Sequence, residues 1–195
     1  MSDFERVLDF WLGELDRDGR ADRAHAERWW RADPAFDEEV RERFLADHEA
    51  VMAGRREGWL EDPRGRVAYV IVLDQLSRNM FRGTPGMFAG DARALAAARE
   101  AVDAGLDRDL PHDMRYFLYM PFMHSESLAD QDRCVELFRA LTGEAEPSPG
   151  SALDFAIRHR DIVARFGRFP HRNAILGRAS TREEQEFLEQ PGSSF

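Results

Sequence analysis

The chain has 195 residues, a formal net charge of −10 and a single cysteine, Cys134. The acidic balance excludes a non-specific nucleic-acid binder, which needs a net basic surface to displace counterions. One cysteine excludes an intramolecular disulfide, and no CxxC pair points to zinc. All 27 basic side chains are arginine. Arginine frequency therefore follows from the absence of lysine, and only arginine placement is used as a functional sign.

Acids and arginines interrupt the apolar residues of "MSDFERVLDFWLGELDRDGR", so no signal peptide is expected. No run approaches about 18 apolar residues, so no transmembrane helix is expected and the chain reads as cytoplasmic. Residues 3–15 place Phe4, Val7, Leu8, Trp11 and Leu15 at helical spacing. The adjacent Trp29 and Trp30 of "RWWRADPAF" point about 100° apart on a helix, which leaves two readings: both pack at a helix junction, the simpler account, or one ring is exposed as a partner surface. Phe36, Val40, Phe44, Leu45, His48 and Val51 repeat the amphipathic pattern over 35–53, stopped by Gly54.

"RVAYVIVL", 66–73, fits either a buried strand or a buried helix. A parallel strand needs partners of its own kind and the chain offers none, so 65–82 is read as a central helix. Its end carries Asp74, Gln75, Ser77, Arg78 and Asn79, with Asp74 and Arg78 spaced for an ion pair. Asp91 reads as the cap of an alanine-rich helix to Gly105. Pro111 opens the next helix, and Pro121 is expected to kink or end it. Ser127 caps a helix with Leu128, Cys134, Val135, Phe138 and Leu141. "GEAEPSPGS", 143–151, is the clearest linker, after which Ser151 and Asp154 open another helix. Thr181 with Glu184 forms a capping box, and 191–195 reads as a flexible tail after a single all-helical domain over 1–190.

"RFGRFPHRN", 165–173, gathers Arg165, Arg168, His171 and Arg172 around Phe166, Gly167, Phe169 and Pro170. A helix ending explains part of it, because Gly167 suits a left-handed cap and Arg165 and Arg168 favour the negative end of the helix dipole. His171, Arg172 and Asn173 lie beyond that cap. His159 shares the helix face of Phe155, Ile162, Val163 and Phe166, which leads to the same turn. His124 and Glu126 follow the Pro121 helix, where a turn with capping serines is the simplest account.

"VLDFWLGEL", "LDQLSRNMFRGTPGMFAGDARALAAA", "PFMHSESLADQ" and "RFGRFPHRNAILGR" together resemble a bacterial domain-of-unknown-function family, number 924, over essentially the whole chain. The resemblance implies an all-α, tetratricopeptide-like α–α superhelix of stacked antiparallel helix pairs. It implies no reaction.

Three functions are weighed. The first is a binding module in which Arg78, Asn79, Arg82, His124, His159, Arg168, His171, Arg172 and Asn173 meet a small anionic ligand or an acidic peptide end. The second is an enzyme drawing acid–base groups from His124, Glu126, His159 and His171. The third is a protein-interaction scaffold using 28–36. There is no GxSxG elbow, Walker loop, dinucleotide fingerprint or HExxH spacing, and Cys134 falls on a core face, so no cofactor and no metal are expected.

Overall fold

In the computed structural model, which describes residues 3–194, the chain is all-helical and no described residue lies in a strand. Met1, Ser2 and Phe195, the last residue of the expected tail, lie outside the described residues. The described residues group into two compact units: one runs to Arg82 and takes in Gly86–Pro121, the other joins Gly83–Pro85 to the chain from Phe122 onward. No helix among the described residues is long and apolar enough to cross a membrane.

The first unit opens with α1, Glu5–Leu12, which buries Val7, Leu8, Trp11 and Leu12 on one face. Gly13 ends it, so Leu15 falls outside the expected stripe and Leu12 takes its place. A helix that periodicity does not reveal, α2 (Arg23–Trp29), follows the cap Asp22 and buries no residue. Trp29 is instead tied down by its indole N–H, which donates to the Trp11 carbonyl at 2.8 Å, while Trp30 is 58 % exposed. α3, Pro34–Met52, starts on the cap Asp33, with proline in its first turn where no N–H is needed.

The stretch 66–73 is helical. α4 (Pro63–Val70) and α5 (Ser77–Met80) are joined by a π-helical segment, Ile71–Leu76. Every residue from Val67 to Leu73 is essentially fully buried, so the helix is apolar on all sides and shows no stripe. Close backbone approach fixes its position. A Cβ on Gly65 would lie 2.4 Å from the Trp59 carbonyl oxygen, and one on Gly90 would lie 2.7 Å from that of Leu73. Neither glycine has a positive φ; the lack of a side chain is what the packing requires.

One expectation needs correction. Asp91 is the first residue of α6 (Asp91–Asp103), not its cap; Gly90 holds that place, and the Asp91 carboxylate turns to Arg78. Of the two outcomes expected at Pro121, a kink or an end, the helix does not end there: α7 runs from His112 to His124 with the proline inside it. The C-terminal carbonyls beyond Pro121 are satisfied by a side chain: the Gln131 amide donates to the carbonyls of Met123 and Ser125 at 2.7 and 2.6 Å.

In the second unit, α8 (Leu128–Thr142) and α9 (Ala152–Phe166) pack against each other as a helical hairpin. Ser127 occupies the N-cap of α8 without a side-chain cap bond, while Ser151 accepts from the Asp154 N–H. Gly167, at φ 67°, closes α9 in the left-handed conformation expected of it. A 3₁₀ turn over Pro170–Arg172 then leads to α10, Arg182–Leu188, which starts on the Thr181–Glu184 capping box. Ser193 is buried, and its hydroxyl donates to the Leu188 carbonyl.

Candidate functional site

The second unit gathers the histidines of three separate stretches around Phe169. The N-cap Ser151 and the αL glycine Gly167 set the register of α9, and this turns His159 inward with Ile162 and Val163. Pro170 then starts the short turn that carries His171 and Arg172. The His159 ring centroid lies 6.4 Å from that of His124 and 5.6 Å from that of Phe169. Phe169, itself fully buried, lies 5.5 Å from His171, and the Arg172 guanidinium sits 4.7 Å over its ring.

The tautomer of His159 is set by its own helix, because Nδ1 lies 2.8 Å from the Phe155 carbonyl oxygen and must donate to it. Burial, reinforced by the nearby His124, holds the His159 pKa down to about 3, against the pull of that backbone bond. His171 is pushed down to about 4 by burial first and then by Arg172 and His124. Both rings are therefore neutral at neutral pH, and Arg172, with only 7 % of its surface exposed, brings a permanently charged guanidinium to the cluster.

The same turn is fastened from below. Arg178 forks onto Glu126 at 2.7 and 2.9 Å, and the Phe169 N–H donates to Glu126 at 2.8 Å. Burial would raise the Glu126 pKa, but these bonds hold it below the ordinary carboxylate value. Arg178 also donates to the Phe169 carbonyl and to Asn173 Oδ1, and Asn173 Nδ2 donates to the Ser180 hydroxyl. Arg168 forks onto the Glu184 carboxylate at 2.6 and 2.8 Å. Glu126, Arg168 and Asn173 are thus held within the protein, each by a named partner.

The sequence-derived residues of the other unit have partners of their own. Arg78 meets Asp74 and forks onto Asp91 at 3.0 and 3.2 Å. Asp37 accepts from Asn79 at 2.8 Å and from Arg82 at 2.6 and 2.8 Å. At 28–36, Arg28 lies over the rings of Phe10 and Phe36, and Arg31 pairs with Asp33. Cys134 is fully buried, and burial raises its thiol well above the ordinary value. Among the described residues, no group of three or more His, Cys, Asp or Glu is arranged to hold a metal ion.

Arg178 and Gln131 escape a reading of the sequence. Arg178 stands in the bland "LGRAS", 52 positions from the carboxylate it holds. Its only sequence signal is a basic residue shortly after a turn that already needs an anchor.

Acid should expose how much the Arg168–Glu184 fork contributes. The two Arg168 hydrogen bonds hold Glu184 down to about 2 despite burial, with help from the Thr181 N–H. A depressed carboxylate pKa stabilises the fold above its unfolded value, near 4.3, and that contribution is lost as pH falls toward 2. Glu184→Gln is expected to cost about 1–3 kcal/mol at pH 7. Urea midpoints of the two proteins should converge between pH 4.5 and pH 2, and a gap that stays constant through that range would contradict the assignment.

The family described as "Bacterial protein of unknown function (DUF924)" matches residues 7–192. A solved protein of unknown function from Agrobacterium tumefaciens, ATU0120, is similar at 39 % identity and a TM-score of 0.83, over 95 % of this chain and 96 % of that one. No functionally curated protein matches the chain.

Proposed function

We infer that this chain, which belongs to the DUF924 family, is a binding protein whose histidine cluster in the second unit receives a small oxyanion, a carboxylate or phosphate group. The observation that carries this reading is the meeting of Arg172 with two neutral, buried imidazoles on the face and edge of one phenyl ring. A guanidinium in a dry setting attracts an oxyanion strongly and fixes its orientation with paired N–H groups. Imidazoles that stay neutral add hydrogen bonds without adding charge.

The lengths of α8 and α9 and their packing as a hairpin support the finer fold reading, a tetratricopeptide-like stack of helix pairs, each pair spanning roughly 34 residues in such folds. The acid–base alternative loses support from the same geometry. Glu126 holds Arg178 and the Phe169 N–H with both oxygens, while His159 and His171 titrate far below the range useful at neutral pH.

Titration calorimetry with phosphate, sulfate, acetate and an acidic peptide tests the reading. Binding by at least one of these anions is expected, and Arg172→Met should weaken it about tenfold or more while circular dichroism stays unchanged. Peptide binding without binding of the small anions would place the oxyanion at a peptide end. No heat with any of them would overturn the reading.

A further inference from the structure

In the first unit, α2 and the start of α3 border a cleft of about 300 Å³, lined by Ala24, Glu27, Arg28, Arg31, Asp33 and Phe36. That is the space of roughly ten water molecules in the liquid and the lower end of the range for small-molecule sites. Its charged groups pair off with one exception. Glu27 accepts from Arg23 at 2.5 Å. Asp33 accepts from Arg31 at 2.8 Å and from the N–H groups of Ala35 and Phe36. No carboxylate among the described residues pairs with Arg28. The two pairs cancel, and the lining keeps one net positive charge.

Arg28 is also held in place. Its guanidinium lies 5.4 Å from the centre of the Phe10 ring and 5.0 Å from that of Phe36, and one of its N–H groups donates to the Phe10 carbonyl at 3.1 Å. The two rings stack 5.7 Å apart at an interplanar angle of 7° and form one platform. A guanidinium has further N–H donors beyond the one used here, and a fixed side chain loses little freedom when a ligand arrives. The π-faces compensate part of the desolvation of this half-buried cation, and a carboxylate would complete it.

We propose that this cleft binds a small monocarboxylate with a compact apolar body, the carboxylate forked on Arg28 and the body set against Ala24 and Phe36. One negative charge on the ligand matches the one positive charge of the lining. A dianion such as sulfate exceeds it, and an amine finds both carboxylates of the lining already engaged. The site shares no residue with the histidine cluster and does not rest on the oxyanion reading.

Benzoate is a probe of this size and charge. Calorimetry should show benzoate binding to the unmodified protein, and no heat with benzamide, its uncharged counterpart, or with benzylamine. Arg28→Met keeps an apolar side chain over the two rings and removes the charge, and it should weaken benzoate binding about tenfold or more. Ala24→Leu changes an exposed helix position and fills the cleft with Arg28 intact. It should weaken benzoate as well, which keeps the test decisive if Arg28→Met fails to fold. Benzamide that binds as tightly as benzoate would overturn the proposal, because charge would then play no part. Benzoate binding that both variants leave unchanged would overturn it too. Binding that they retain and Arg172→Met abolishes would place the carboxylate at the histidine cluster instead. Absence of benzoate binding would overturn the proposal and leave the oxyanion reading to its own titrations with phosphate and sulfate.

Discussion

Phe169→Ala is expected to destabilise the protein by about 3–5 kcal/mol, the range for removing a fully buried phenyl ring, and to lower the urea midpoint accordingly. Phe169 is completely buried against Ile162 and Val163, with Phe166 and Phe187 packed beside them. Its ring also carries the contacts of His159, His171 and Arg172. The backbone anchors would survive the substitution, because Glu126 accepts from the Phe169 N–H and Arg178 donates to its carbonyl. The loss therefore isolates the ring: a cavity opens and a guanidinium gives up the π-face that compensates its burial. Phe169→Leu should cost much less, about 1.5 kcal/mol, because most of the volume is kept. A cost below about 1 kcal/mol for the alanine variant would show that the ring does not hold the cluster together.

What could be read from the sequence follows from local physics. Ser151, Thr181–Glu184 and Gly167 act through bonds and φ values set within four residues, and each stands where the pattern puts it. At Pro121 local reasoning offers a kink or an end and does not choose between them; the helix runs on to His124, where the amide of Gln131, ten positions from the proline, donates to the Met123 carbonyl. The π-helical turn at Ile71–Leu76 is invisible for a related reason. A segment buried on every side has no stripe whose phase could betray an extra residue in the turn. In the cluster, the histidines and Arg172 stand out as polar groups in apolar settings. Their neutral state and the Arg178 anchor depend on burial and on partners distant in sequence, which spacing does not encode.

Arg172→Ala against Arg165→Ala separates a helix ending from a site within the same nine residues. Arg165 lies on the surface, with 49 % of its side chain exposed; it pairs with exposed Glu183 and covers Phe166 and Phe187. Surface ion pairs and exposed cation–π contacts are each worth well under 1 kcal/mol, so its loss should cost about 1 kcal/mol or less. Arg172 is 7 % exposed and stacks on a ring that is itself fully buried. Its removal takes away both buried stem packing and a desolvated cation–π contact, which together should cost about 2–4 kcal/mol. The two variants should also differ in sulfate. Added sulfate should raise the urea midpoint of the unmodified protein and of Arg165→Ala through binding to the folded state, and it should leave Arg172→Ala with only the general salt effect. Equal, small and sulfate-independent losses in both variants would reduce "RFGRFPHRN" to the end of α9 and remove the cation on which the oxyanion reading depends.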